Sequence, residues 1–530
     1  MRKGVILVSG LVAGLALALP VSAQLSCIQI DKVDLKGVTL LKAETLSNRL
    51  SQFEGQCLGL GEINGVLQQV TDAYIDASYV TSRAYLPEQD LSDGVLEVRV
   101  VEGQLSRIDL NNRKNKRWER QAFPGLVGKP VNLRNVEQGL DNIRLMRTYQ
   151  AEMELEPGAD AGDTVLNVTA KSKRPWTFNL SSDNHGLEDA DPGKSAATGK
   201  YNTSVSASYD HLLGLNETWT LAANRSASHH PLNVYSSDSN TRGYSLGVSA
   251  PFGLWNLSAK KGWSFYDTTI PGALTPIASA GWTETIDLSA TRLLARDQAQ
   301  KTYLDVALSR RENENSLAGV TINASSRVLT VGSLGLRHER PMFGGQFHGS
   351  VSMEQGLKAF GAEDVNARPV GQPNAQFRRY IFDAKWDRLI KVKTGRLQFK
   401  TNLHAQVSED RLYSTQQMFL GGASSVRGTK AGVVSGNTGA YLRNDLAWTL
   451  PYVPAKAVGN LQFYGALDMG RIKAQPQFGI AGGSVTGGAI GVRTTGGKFS
   501  IDASYAKMID VPTGLIKPKG ALFLSLGMTF

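Results

Sequence analysis

Apolar and polar residues alternate with a period of two along most of the chain from Trp176 to the last residue, Phe530. The runs Gly395–Ser408 and Gly439–Leu450 show the pattern clearly. A period of two places successive side chains on opposite faces of a β-strand. An apolar outer face combined with a polar inner face is typical of the wall of a membrane barrel.

The segments that interrupt this alternation are short and long in turn. Short interruptions lie near 213–216, 253–254, 297–300, 343–345, 391–395 and 496–497, and long ones near 184–200, 225–241, 268–281, 312–326, 358–376, 409–438, 473–483 and 510–520. Short turns at one rim and long loops at the other are typical of outer-membrane barrels. A sheet in lipid has no free edge, because every backbone amide there needs a partner. We therefore predict an all-β membrane domain over 173–530, a transmembrane antiparallel barrel of about sixteen strands.

The interruption at 409–438 is far too long for a hairpin turn, and its glycine-rich centre, Phe419–Gly432, contains one arginine, Arg427. We predict that this loop folds back into the barrel. The strand Asn460–Ile472 places Asp468 on its inward face, where a buried carboxylate needs a cation. Arg427 is the candidate partner, and a bidentate pair would fix the loop in place. The alternative is that Asp468 simply lines a water-filled pore.

The first third of the chain predicts two small α+β modules, at 24–103 and 104–172. The first has a strand at Cys27–Leu40, helices at Ala43–Phe53 and Gly61–Val80, and strands at Arg83–Leu86 and Val95–Val101. The second has strands at Leu105–Leu110, Ala151–Glu156 and Thr164–Ala170, with helices at Trp118–Phe123 and Val131–Arg147. Their similar size and order indicate an internal repeat.

The N-terminus predicts export. Residues 1–23 have basic residues, an apolar run and small residues before a cleavage site, as a secretory signal does. No later segment is apolar for long enough to form a membrane helix.

The only two cysteines, Cys27 and Cys57, would meet an oxidising compartment, which favours a disulfide. Two free buried thiols remain the alternative.

The formal net charge of +10 includes a basic run, Asn111–Arg120. This run is either a solvated face or a contact for anionic headgroups or an acidic segment of a partner.

Two short matches to enzyme motifs carry little weight. Gly193-Lys194-Ser195 lacks the first glycine of a phosphate-binding loop, and Gly243–Gly247 spells G-x-S-x-G inside a predicted strand with no helix after it. We predict no enzyme activity, no cofactor and no metal site.

Several motifs together resemble those of the two-partner secretion outer-membrane transporters, the TpsB family. The matching segments are Tyr79–Gly94, Phe123–Leu145 and Leu155–Val168 in the modules, and Gln416–Gly428, Gly439–Leu446 and Leu467–Gly470 in the barrel. The resemblance implies that the two modules are periplasmic POTRA (polypeptide-transport-associated) domains. It also implies that 409–438 is the sixth extracellular loop of the barrel.

In this family the loop tip reads Val-Arg-Gly followed by an aromatic residue, and its arginine meets an aspartate of a strand. The resemblance therefore implies that the loop is locked by Val426, Arg427, Gly428, Asp468 and Gly470. Thr429 departs from the pattern, since it stands where the family has the aromatic residue. Many members also carry an N-terminal plug helix. Because Cys27 follows the cleavage site so closely, we expect none here.

The resemblance implies a monomeric transporter of the Gram-negative outer membrane that binds lipid and no nucleic acid. It would recognise a large secreted protein through an N-terminal secretion domain of that partner and pass it outward; the partner would be an adhesin, a cytolysin or a contact-dependent toxin. One alternative is an insertase of the same superfamily, which assembles other barrels and normally has more periplasmic modules. Another is a passive porin, which would have no need of the modules.

Overall fold

The structure is a computed structural model that describes residues 27–111, 116–186, 199–227, 240–270, 275, 277–364 and 371–530. The predicted signal sequence at 1–23 and the motif at 193–195 lie outside these residues. Contacts divide the chain into two units. One extends to Gln104 and includes Pro130–Asn132 and Pro157–Thr164; the other contains Leu105–Lys129, Leu133–Glu156 and Val165–Phe530.

The first unit contains five strands and two helices among the described residues. They are β1 (Ile28–Ile30), β2 (Lys32–Lys36), α1 (Ala43–Leu50), β3 (Gln56–Leu58), α2 (Leu60–Asp76), β4 (Arg83–Tyr85) and β5 (Val95–Val101). β2 pairs in parallel with β5, which pairs antiparallel with β4, and β1 pairs with β3. The two helices cover this sheet and bury Leu46, Val66 and Tyr74 against Leu96 and Val98.

Two local features hold this unit together. A disulfide joins Cys27 and Cys57, beside the β1–β3 pairing, so the pairing predicted from the sequence is present. The second feature is the carboxylate of Glu102. It accepts hydrogen bonds from the backbone N–H groups of Thr39 (2.7 Å) and Leu40 (2.9 Å) and from the hydroxyl of Tyr74 (2.7 Å). Burial opposes ionisation, but the hydrogen bonds prevail and hold the pKa of Glu102 below its ordinary value.

The second module is a three-stranded sheet with two helices. Its elements are β6 (Gln104–Leu110), α3 (Lys116–Ala122), α4 (Leu133–Arg144), β7 (Tyr149–Pro157) and β8 (Asp163–Ser172), and the sheet order is β6-β8-β7. The predicted elements are all present, with ends shifted by a few residues. The first predicted strand of the first module is instead divided between β1 and β2, and β3 was missed because it is only three residues long.

Sixteen strands of the described chain form the closed antiparallel barrel, as predicted. They are β9 (Trp176–Asp183), β10 (Tyr201–Asp210), β11 (Thr218–Ala227), β12 (Asn240–Phe252), β13 (Trp255–Ile270), β14 (Ile277–Arg296), β15 (Lys301–Leu317), β17 (Arg327–Met342), β18 (Gly345–Leu357), β19 (Arg378–Val392), β20 (Gly395–Val407), β23 (Gly439–Thr449), β24 (Gly459–Ile472), β25 (Gly483–Gly496), β26 (Phe499–Asp510) and β27 (Ala521–Thr529). A two-residue strand, β16 (Val320–Thr321), pairs with the end of β15. The barrel closes where β27 pairs with β9, with Leu526 opposite Ser182.

Two predicted loops are shorter than expected, because β13, β14 and β15 continue into the predicted interruptions at 268–281 and 312–326. Backbone pairing between neighbouring strands continues there although the apolar face has ended. Among the helices of the described residues, none is long and apolar enough to cross a membrane.

Candidate functional site

The long loop at 409–438 forms a small hairpin that lies inside the barrel. It contains a 3₁₀ turn (Ser414–Gln416) and strands β21 (Met418–Leu420) and β22 (Val434–Gly436), which pair with each other. Three loop side chains form one apolar cluster with three side chains of the barrel wall; the cluster comprises Met418, Leu420 and Val426 with Ile472, Val485 and Met508. The hairpin therefore packs on the inner face of β24, β25 and β26.

Arg427 is bound to Asp468 through three hydrogen bonds. Its Nε and Nη2 donate to the two carboxylate oxygens of Asp468 at 2.6 and 2.7 Å, and its backbone N–H donates to Oδ2 at 3.0 Å. The backbone N–H of Asn444 adds a fourth bond to this carboxylate at 3.3 Å. Asp468 is fully buried, so the structure does not place it in a water-filled pore. A paired, hydrogen-bonded carboxylate is the form in which a buried charge is tolerated.

A second carboxylate, Asp445 on β23, lies beside the same guanidinium. Its Oδ1 is 2.6 Å from Arg427 Nη2, although the atoms are not aligned for a good hydrogen bond, and Arg493 Nη1 lies 3.6 Å from its Oδ2. The sequence analysis missed Asp445 as a partner. Asp445 falls on the polar face of the alternating run Gly439–Leu450, and that position was the signal for it.

Glycines allow the loop tip to approach the wall. Gly428 has a φ of +146°, a conformation that L side chains rarely adopt, and a β-carbon there would lie 2.6 Å from the backbone nitrogen of Met508. A β-carbon on Gly470 would be 3.0 Å from the side chain of Leu420. Thr429 is buried, and its hydroxyl accepts a hydrogen bond from the backbone N–H of Ala431.

The rim with the short turns contacts the second module through an arginine whose side chain is 11% exposed. Arg296, at the end of β14, donates to Gln138 (3.0 Å), Asp141 (2.7 Å) and Glu137 (3.2 Å), all on α4. Lys301 donates to the same oxygen of Asp141 at 2.9 Å. Burial alone would raise the pKa of Asp141, but the hydrogen bonds from Lys301 and Arg296 hold it below its ordinary value.

Further contacts between the second module and this rim involve α3 and the turn after β10. Trp118 is buried, donates to Asn216 and packs against the rings of His211 and Tyr149. Trp118 lies within the predicted basic run, so that part of the run faces the barrel; residues 112–115 lie outside the described chain. The G-x-S-x-G match at Gly243–Gly247 lies within β12, as expected.

A membrane barrel with two N-terminal α+β modules and an arginine loop folded inside it defines a class of outer-membrane protein transporters. Comparison with known proteins gives the particular family. The model of the haemolysin secretion/activation proteins ShlB/FhaC/HecB matches residues 162–494, a ShlB-type POTRA domain model matches 28–103, and another POTRA domain model matches 104–157.

Individual relatives agree with the family model. The chain is 31% identical over 504 residues to the outer membrane transporter CdiB of Dickeya dadantii, covering 95% of this chain and 87% of that protein. It is 35% identical over 479 residues to CdiB of Escherichia coli, covering 89% and 78%. The solved structure of CdiB from Escherichia coli matches with a TM-score of 0.87 and 31% identity, over 97% of this chain and 93% of that one.

The chain therefore belongs to the ShlB/FhaC/HecB family of haemolysin secretion/activation proteins. The resemblance, fold class and outer-membrane location predicted from the sequence are confirmed, with the POTRA modules in the periplasm. Two-partner secretion is confirmed as its function, and the insertase alternative is not favoured.

Proposed function

We propose that this transporter moves a large secreted protein outward through the barrel, and that the hairpin at 409–438 is its gate. The observation that carries the proposal is the contact of Arg427 with the fully buried Asp468. Breaking a buried pair of this kind costs about 3–5 kcal/mol, because one charge is left without its partner. The hairpin is thus held by this ion pair together with the apolar cluster of Met418, Leu420 and Val426 on the wall, and displacement of the hairpin would break both.

The POTRA modules would receive the partner before it enters the barrel. In the sheet order β2-β5-β4 of the first module, β2 and β4 are edge strands, and in the second module β6 and β7 are. An extended segment can pair with such an edge through backbone hydrogen bonds. We propose module boundaries at 24–103 and 104–172 and the membrane domain at 173–530. The POTRA matches at 28–103 and 104–157 support the boundary between the modules.

The partner would be an adhesin, a cytolysin or a contact-dependent toxin, and the transporter would act as a monomer without catalysing a reaction. The names of the CdiB relatives favour a contact-dependent toxin. Since the periplasm offers no nucleotide energy, folding of the partner outside the cell would drive its movement.

The test is to look for a large secreted protein encoded beside this chain, to express the two together and to measure the secreted protein in the medium. Export should require the chain and each POTRA module. Partner found in the outer membrane instead of the medium would point to an insertase. Export that continued after deletion of a module would contradict the proposed role of that module.

A further inference from the structure

The outer face of β11–β15 carries a band of cationic side chains toward the rim with the long loops. Exposed Leu221, Tyr244, Leu257, Leu288 and Val306 mark the lipid-facing positions of these five strands. Every second residue shares that face, which adds Arg292 near the short-turn rim and four cations nearer the opposite rim. The four are Arg225, Arg242, Lys261 and Arg310.

The strand register arranges these residues in two pairs, with Arg242 opposite Phe265, four residues along β13 from Lys261. Arg225 lies directly opposite Arg242, and Lys261 and Arg310 both lie opposite Ile286, on either side of β14. The register through β17 aligns Val351 and Met353 of β18 with Leu304 and Val306 of β15, so the apolar belt continues there on the periplasmic side of the cations. At the outer end of β19, the exposed residue Arg378 adds a further cation.

Aromatic residues place the band at the outer interface of the membrane. Two tryptophans of β13 face outward: Trp255 lies near the short-turn rim and Trp263 lies eight residues farther along. For a tilted strand, this separation corresponds to a height of roughly 20 Å along the barrel axis. Tryptophan and tyrosine concentrate at the two interfaces of a membrane. Because the short-turn rim contacts the second POTRA module, it faces the periplasm, and Trp263 marks the outer leaflet.

The charges in the band are only partly compensated. Lys261 lies 3.1 Å from Glu284, which also accepts a hydrogen bond from Trp263, and Arg310 lies 2.8 Å from Glu312. Arg242 stacks on the ring of Phe265, 5.3 Å from its centre. In the described part of the chain, the buried Nε of Arg225 has no hydrogen-bond partner.

Two guanidinium groups opposite each other destabilise a sheet, and more so where water is scarce. An anion between them would remove the repulsion. Phosphate fits best, since guanidinium groups bind its oxygens in pairs. We propose that this band, defined by Arg225, Arg242, Lys261 and Arg310, binds the phosphates of a phosphorylated glycolipid of the outer leaflet. Tyr244 and Trp263 would contact its sugar and the upper part of its acyl chains.

Titration with bis-phosphorylated lipid A tests this proposal. The full chain and the variant R225Q/R242Q would be placed in phosphatidylcholine nanodiscs, and bound lipid A would be counted by native mass spectrometry. We expect binding about tenfold weaker in the variant, as the loss of charge-assisted hydrogen bonds predicts. The matched control R292Q/R340Q removes lipid-facing arginines at the periplasmic end and should bind as the unmodified chain does.

Heat-resistant migration in detergent would show that each variant is assembled; if the double variant is not, Arg242→Gln alone takes its place. R225K/R242K should keep most of the binding. Equal lipid A affinity in the assembled glutamine variant and the unmodified chain would overturn the proposal. Equally tight binding of phosphatidylglycerol by the unmodified chain would overturn it as well, since any anionic lipid would then suffice.

Discussion

Gly487 on β25 lies directly against the backbone carbonyl of Arg427, so close that a β-carbon built on the glycine would be 1.7 Å from that oxygen. No side chain fits between them. The wall of the barrel is thus shaped to receive the backbone of the loop tip, in addition to holding its guanidinium. Arg427 is therefore held at two places: its backbone carbonyl lies against Gly487, and its guanidinium binds Asp468.

Gly487→Ala should displace the hairpin tip without removing any charge. The overlap forces a shift of the backbone, at a cost of about 1–3 kcal/mol for overpacking. We expect a larger ion conductance in planar bilayers and less export of the partner protein. Gly465→Ala on β24 is the matched control, because a β-carbon there meets nothing within 4 Å. Identical conductance in the two variants would show that the close approach is unimportant.

Arg427→Ala should abolish export of the partner while the barrel still inserts and resists heat in detergent. The substitution leaves Asp468 buried without its cation, a loss of about 3–5 kcal/mol at the hairpin. Asp468→Asn should weaken export less, because the amide oxygen can still accept a bond from Arg427. Export into the medium is the measurement, and Arg311→Ala, on the inner face of β15, is the control. Normal export by Arg427→Ala would refute the gate.

The pair of Arg427 with Asp468 was predictable because each is conspicuous in its own segment. The loop centre contains one arginine, and the inward face of Asn460–Ile472 has little other charge. Asp445 was not predictable as a second partner of Arg427. The same face of its strand also carries Arg443, and alternation along one strand does not show which residue of the next strand lies opposite. The need for glycine at 487 was also hidden, because it arises from a carbonyl distant in the chain.

Arg296→Met should loosen the second POTRA module from the barrel rim. The change removes three hydrogen bonds to α4 and leaves Lys301 to balance Asp141 and Arg134 to balance Glu137. We expect amide exchange in Leu133–Arg144 to be roughly tenfold faster, as the loss of one net charge-assisted bond predicts. Arg292→Met on the lipid-facing side of the same strand should leave exchange unchanged. Equal protection of α4 in both variants would contradict this role of Arg296.

Cys57→Ser should destabilise the first module and leave the barrel intact. The disulfide closes a loop with a sequence separation of 30, for which the chain-entropy model gives about 3–4 kcal/mol. Limited proteolysis should cut the variant faster within 27–103, while the heat-resistant migration of the barrel stays the same. Reduction of the unmodified chain should reproduce the effect, and a module that resists protease equally well in both forms would argue against it.

Glu102 should make the first module sensitive to acid. Because hydrogen bonds from Thr39, Leu40 and Tyr74 lower its pKa in the folded state, the unfolded chain binds its proton more tightly. The stabilisation is therefore present above the ordinary value of 4.5 and is lost as pH falls through the lower folded pKa. We expect Glu102→Gln to cost about 1 kcal/mol at neutral pH, since the site is only partly buried. The cost should shrink towards zero in strong acid. The stability cost at neutral pH and in acid can both be measured by hydrogen exchange of β5 in the full chain, corrected for the intrinsic pH dependence of exchange. Glu97→Gln, on β5, is the control. A cost that did not change with pH would mean that the carboxylate acts through its shape and not through its charge.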